Sequence, residues 1–286
     1  GLRRPVRVRA TPHEQKDLEV LGLRLRYIDV GPSDPESPGL PLLLIHGHTS
    51  RIEEYDDLVP HLAEHHRVLV CDLPGCGYSD KPHGQRYTLR LYEDVLLAFL
   101  DALGIEEAYV AGGSLGGNLV LRLGHREPDR FRRLVAWAPA GAWRPARRVG
   151  QVMRAVGSGT LFWPVVWGQS RFWYEKGWPG RAEALRETFA YYREVSCRGF
   201  HRMYWDVAAD QIAQSHFGYA HEIHQPVLLA WGDRDHGLNM GEGVKRLNEL
   251  IPNARLQVFE GARHSLANEI PKKLADVAND FLLEAA

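Results

Sequence analysis

The run Gly112-Gly113-Ser114-Leu115-Gly116-Gly117 constrains this chain more than any other feature. It stands where an apolar stretch, residues 108–111, hands over to a helix-spaced one, residues 115–124. A strand that turns directly into a helix needs a sharp bend, and glycines around the serine leave room for it. Such a bend points the Ser114 hydroxyl out of the backbone. A hydroxyl alone is a weak nucleophile; it needs a base, an acid to orient that base, and an oxyanion site.

The chain offers a candidate for each. Among its 14 histidines, His264 has the best position. It follows the strand-like residues 255–259 and precedes a helical pattern over residues 271–283, so it belongs on a loop at a strand's end. Two carboxylates follow the buried-strand pattern of residues 226–231. Asp233 comes at once and is read as a brace for the turn's amides. Asp235 lies further out, within reach of a histidine, and is read as the acid. The order Ser114, Asp235, His264 is one of several in which such a triad occurs. Leu115 is expected to give one oxyanion amide and His48 the other, from the loop His46-Gly47-His48-Thr49 that follows the apolar residues 41–45. The His48 side chain either meets substrate or faces solvent. His46 is read as bracing its own loop.

The remaining pattern places these residues on one edge. Residues 18–20 and 23–28 read as an exposed hairpin, and residues 42–45 and 68–71 as strands buried on both faces. Helical spacing is expected over residues 53–64, 89–103 and 115–123, with a strand over residues 134–138. Alternation of this kind implies a mostly parallel sheet with helices on both faces, which binds ligands beyond the C-terminal ends of its strands. It breaks between residues 141 and 224, a segment holding Trp143, Trp163, Trp167, Trp173, Trp178 and Trp205. The expected organisation is an α/β core of residues 1–140 and 225–286 with a helical cap of residues 141–224. Aromatic side chains offer large apolar area with few rotors, so Trp143, Trp163 and Trp167 are the candidate substrate contacts, unless they serve only as packing. Arg144, Arg147 and Arg148 either meet a substrate carboxylate or stay solvated.

Taken together, the segments resemble the α/β-hydrolase superfamily. The similarity rests on His46-Gly47, on Asp72-Leu73-Pro74-Gly75-Cys76-Gly77-Tyr78-Ser79-Asp80, on residues 112–117, on residues 232–235 and on His264. They run in the family's order over residues 18–283. The resemblance implies an eight-stranded-type sheet and a serine hydrolase that cleaves a carboxylic ester of a small apolar or aromatic compound through an acyl-enzyme, without cofactor or metal. A carbon–carbon bond hydrolase of the meta-cleavage (vinylogous diketone) type uses the same triad. A perhydrolase is a further variant, and a small-molecule receptor is the non-enzymatic alternative. Haloalkane dehalogenases and epoxide hydrolases carry aspartate where this chain has Ser114. Three positions depart from the pattern. The loop 46–49 is not the Gly- and Pro-rich version typical of meta-cleavage hydrolases, Asn239 stands where proline is common, and Arg263 where glycine is usual.

Bulk properties narrow the partners. With 25% charged residues and a net charge of −1, nothing recommends a nucleic acid, and a small-molecule substrate is expected. No run of 18 apolar residues spans a membrane. The expected location is the cytoplasm; because the sequence begins at Gly1, a removed tag or signal peptide stays open. Arg3, Arg4, Arg7 and Arg9 read as a solvated arm. Three cysteines are too few for a disulfide framework. Cys71 is expected in the core, and Cys76 as filler of the loop after it. Oligomeric state is not legible.

Overall fold

The computed structural model describes residues 7–32, 36, 39–237 and 240–284. Arg3, Arg4 and Asn239 lie outside them. Among the described residues eight strands form one sheet: β1 (Lys16–Val20), β2 (Leu23–Val30), β3 (Leu42–Ile45), β4 (Val68–Cys71), β5 (Ala108–Gly113), β6 (Phe131–Trp137), β7 (Val227–Gly232) and β8 (Ala254–Phe259). Their order is β1-β2-β4-β3-β5-β6-β7-β8. β2 pairs antiparallel with both β1 and β4, and every other neighbouring pair is parallel.

The apolar runs follow from burial on two faces. Successive side chains of a strand point to opposite sides. Leu43 and Ile45 therefore enter one core, with Leu69 and Cys71, while Leu42 and Leu44 enter the other, with Val68 and Val70. Helices α2 (Leu89–Ala102) and α3 (Leu115–Arg126) cover the first face. Helix α1 (Val59–Leu62) covers the second together with α9 (Leu266–Glu269) and α10 (Pro271–Leu282). Helix α8 (Met240–Leu250) joins β7 to β8. Thr88 caps α2 by accepting from the Leu91 amide at 3.0 Å.

Between β6 and β7 the chain forms α4 (Arg147–Val156), α5 (Gly159–Gln169), α6 (Arg181–Val195) and α7 (Arg198–Ala213). An aromatic cluster holds this insertion together. Phe162 is fully buried and meets Trp163, Tyr192, Phe200 and Tyr204 edge to face. Polar bonds tie it to the sheet: the Tyr191 hydroxyl accepts from the Gly77 amide at 2.8 Å, and Asp210 accepts from the Leu89 amide at 2.9 Å.

One expected element is replaced. Residues 53–64 form no continuous helix but a 3₁₀ turn, Ile52–Tyr55, followed by the four-residue α1. Tertiary bonds anchor the start of this segment. The Ile52 amide donates to Asp72 at 2.8 Å and the Glu53 carboxylate pairs with Arg26 at 2.8 Å, which fixes the turn against β2 and β4. Cys71 and Cys76 are buried as expected, and burial pushes the Cys76 thiol up to about 12. The arm read at the start of the chain crosses the surface: Arg9 pairs with Asp57 at 2.9 Å, and its amide donates to Glu187 of α6 at 3.1 Å. Among the described residues no helix is long and apolar enough to cross a membrane.

The junction of β5 and α3 is the tightest point of the fold. A side chain at Gly112 would come within 2.6 Å of the Ile45 carbonyl oxygen, and one at Gly116 would strike the same atom more closely still. Gly116→Ala should therefore force α3 off β3 and destabilise the protein by about 3 kcal/mol. Urea unfolding is the check. A lowered midpoint with unchanged slope is expected, whereas an unchanged midpoint would show that the helix is not held against that carbonyl.

Candidate active site

Ser114 sits on the turn between β5 and α3 with φ 56° and ψ −116°. A left-handed φ at a non-glycine residue costs on the order of 1–3 kcal/mol and persists only where surrounding packing enforces it. Here the Ser114 amide donates to the Trp137 carbonyl at 3.0 Å, and the Ser114 carbonyl accepts from Asn118 at 3.0 Å and from Ala140 at 2.9 Å. These bonds hold the strained residue from three sides.

His264 and Asp235 arrive from the loops after β8 and β7. The Nδ1–H of His264 donates to the Asp235 carboxylate at 2.6 Å, and Asp235 is 2% exposed. Burial acts to lower the His264 pKa, but the charge of Asp235 and its hydrogen bond outweigh that, and Glu54 and Glu269 add to them, so the imidazole titrates above its ordinary value. Asp233 instead accepts from the Gly261 amide at 2.8 Å and braces the turn. Ser114, Asp235 and His264 all line one cavity of about 1090 Å³ between the sheet edge and the insertion.

The loop after β3 forms the cavity's next wall. His46 is fully buried; its Nε2 accepts from the Leu73 amide at 3.0 Å, which ties this loop to the one after β4. Thr49 has φ 62°, and its hydroxyl bonds Tyr192 of α6 at 2.7 Å. The amides of His48 and Leu115 have no hydrogen-bond acceptor among the described residues. The His48 ring stacks on Tyr204 at 5.0 Å, and burial pushes its pKa down to about 4, which keeps it neutral.

Trp143 lines the cavity, as do Trp173 and Trp178. Trp163 and Trp167 stand away from it, so the expected substrate contact narrows to Trp143. Trp163 packs beside Phe162 in the insertion's core, and Trp167 is 60% exposed beneath the Arg171 guanidinium. Arg144, Arg147 and Arg148 are exposed and do not face the cavity.

Sequence reading missed Glu54, which lines the cavity and accepts from the Gly47 amide at 2.9 Å. A side chain at position 47 would lie 3.5 Å from both Glu54 oxygens and 3.8 Å from Ser114 Cβ, so the carboxylate is close to Ser114. Its only sequence signal was a negative charge shortly after the oxyanion loop. Tyr192, Tyr204 and Met153 also line the chamber. Their approach depends on how the inserted helices cross, which no motif encodes.

Residues 41–268 match the family model for the alpha/beta hydrolase fold. The chain belongs to that family. It is 28% identical to the 2-hydroxymuconate semialdehyde hydrolase of Pseudomonas sp. strain CF600, over 96% of this chain and 96% of that protein. It is 27% identical to the 2-hydroxy-6-oxo-2,4-heptadienoate hydrolase of Pseudomonas putida, over 91% and 93% respectively. It is 25% identical to haloalkane dehalogenase 2 of Mycobacterium bovis, over 92% and 93%. This family membership supports a hydrolase.

The charges around His264 set the outcomes to expect. With His264 in the proposed role of base, which must be neutral to accept a proton, kcat/KM should rise with pH through a pKa above the ordinary histidine value. Glu54→Gln removes a negative charge that favours the imidazolium and should move that limb to lower pH. Asp235→Asn should also lower it, and should reduce kcat by about 10⁴-fold through loss of the correct tautomer. A pH–rate profile of the three proteins is the check; a limb unmoved by Glu54→Gln would separate that carboxylate from the reaction.

Proposed function

We propose that this hydrolase cleaves a carbon–carbon bond next to a ketone in a small conjugated oxo-acid, with Ser114 as nucleophile, His264 as base and Asp235 as its orienting acid. The observation that carries this reading is the full-length likeness to two hydrolases of such compounds. The serine supports it over dehalogenation, which in the resembling enzymes uses aspartate at that position. The chamber supports it as well. Its aromatic walls suit a flat conjugated chain.

The chemistry follows from the placement of the groups. Ser114 Oγ adds to the carbonyl carbon while its proton passes to His264. The carbonyl π pair becomes an oxyanion facing the His48 and Leu115 amides; one such donor contributes about 2.7–4 kcal/mol. Collapse of the adduct breaks the bond to the neighbouring carbon. The departing electron pair delocalises into the conjugated keto acid and is protonated by the imidazolium. Water, deprotonated by the same imidazole, then releases the acyl group from Ser114. Asp235 keeps Nδ1 protonated, so Nε2 is the nitrogen that exchanges protons.

A second reading, ester hydrolysis of a small apolar or aromatic acyl compound, is favoured by one observation. The loop 46–49 has His48 and Thr49 where meta-cleavage enzymes are rich in glycine and proline, and the His48 ring occupies space beside Tyr204. The two readings separate in a single experiment. The purified protein and Ser114→Ala are assayed on 2-hydroxymuconate semialdehyde, by loss of its absorbance, and on p-nitrophenyl esters of increasing acyl length. The expected result is turnover of the oxo-acid that exceeds ester turnover in kcat/KM and disappears in Ser114→Ala. Ester turnover alone would overturn the carbon–carbon reading. Tight binding without turnover of either class would favour the receptor.

A further inference from the structure

A second cavity, of about 380 Å³, shares no lining residue with the first. Arg86, Arg154, Arg198, Arg202, His201 and Asp206 line it. Asp206 is 5% exposed and already engaged. Its oxygens lie 3.7 Å from Arg154 Nε and 3.4 Å from Arg202 Nε, and one accepts from the Tyr87 amide at 3.1 Å. Arg154 Nη2 lies 3.9 Å from Asp210, while its buried Nε has no hydrogen-bond partner. Arg86 and Arg198 pair with no carboxylate among the described residues. Positive charge is therefore in clear excess within one concave space, and low-dielectric walls concentrate its potential.

We propose that this cavity binds a phosphate-bearing ligand. Guanidinium forks match the oxygens of a phosphate, and a dianion relieves the repulsion among four converging arginines. The Trp205 ring also faces the cavity and gives an apolar wall for the group that carries the phosphate. The arginines come from both sides of a seam. Arg86 precedes α2 in the sheet domain, Arg154 is on α4, and Arg198 and Arg202 are on α7. A bound anion joins the insertion to the sheet domain at this point. Helix α7 presents Tyr204 and Ala208 to the first cavity, and α4 presents Met153, the neighbour of Arg154. The anion consequently steadies the wall of the active-site chamber without entering it.

The test uses the full chain and two probes. Calorimetric titration with inorganic pyrophosphate at low salt should show one saturable site, weakened by added salt. The double variant Arg86→Ser/Arg198→Ser removes two exposed side chains without ion pairs, so the fold should survive, as circular dichroism would verify. Its affinity should fall by at least about tenfold. Vesicles containing phosphatidate form the second arm. Binding to vesicles but not to pyrophosphate, lost in the same variant, would assign the phosphate to a lipid headgroup. Saturation by neither probe, or equal affinity in parent and variant, would overturn the proposal.

Discussion

The carbonyl oxygen of Ile45, at the end of β3, is the atom on which the site depends. The Tyr55 hydroxyl donates to it at 2.8 Å, and the backbones of Gly112 and Gly116 press against it. That crowding lets α3 start directly above β3 and keeps Ser114 in its strained conformation. Tyr55 also accepts weakly from the Gly113 amide, at 3.4 Å, so one phenol links the oxyanion loop to the nucleophile strand. Burial drives its pKa well above the ordinary tyrosine value, so it remains a donor at every working pH. The distance between Ser114 and the loop after β3 is thus set by these backbone contacts together with the Tyr55 phenol.

Beneath the same loop lies a buried ionic group. Arg26 on β2 donates to Asp72 at 2.7 Å and forks onto Glu53 at 2.9 and 2.8 Å. Asp72 also accepts from the Ile52 and Tyr78 amides. Burying such charges costs several kcal/mol each, so the network is a weak source of net stability. Its effect is positional. It fixes where the chain turns after the oxyanion loop, and that turn puts Glu54, the residue after Glu53, into the chamber. The carboxylate beside Ser114 is a consequence of the ion pair next to it.

The sheet, the nucleophile turn and the Asp235–His264 pair were legible because each rests on a local rule: apolar runs for doubly buried strands, glycines for a tight bend, a loop position at a strand's end. The turn at residues 52–62 was not. Its spacing is helical, yet Arg26 on β2 and Asp72 just after β4 capture Glu53 and Ile52. Tertiary bonds decide the conformation there, and periodicity cannot report them. The tryptophans show the same limit. Trp143 follows β6 closely and reaches the chamber, whereas the orientation of Trp163 and Trp167 depends on how α5 packs against α7. Composition placed aromatic area in the insertion without saying which rings face inward.

Arg263 gives the departure from the family pattern a structural meaning. Its guanidinium lies 3.4 Å from Glu175 and donates to the Arg171 carbonyl at 2.9 Å, both on the segment between α5 and α6. On the other side of His264, the Ser265 amide donates to the Trp173 carbonyl at 3.0 Å. Glu269 completes the clasp by accepting from the amides of Arg263 and Glu175. A glycine at position 263 would leave the histidine loop to the sheet alone. With arginine there, the residues flanking the base are bonded to the chain that carries Trp173 and Trp178 into the chamber wall. These partners are mostly shielded from water, so each loses more on separation than an exposed pair would. Displacement of the insertion would therefore strain the loop that holds the His264 imidazole.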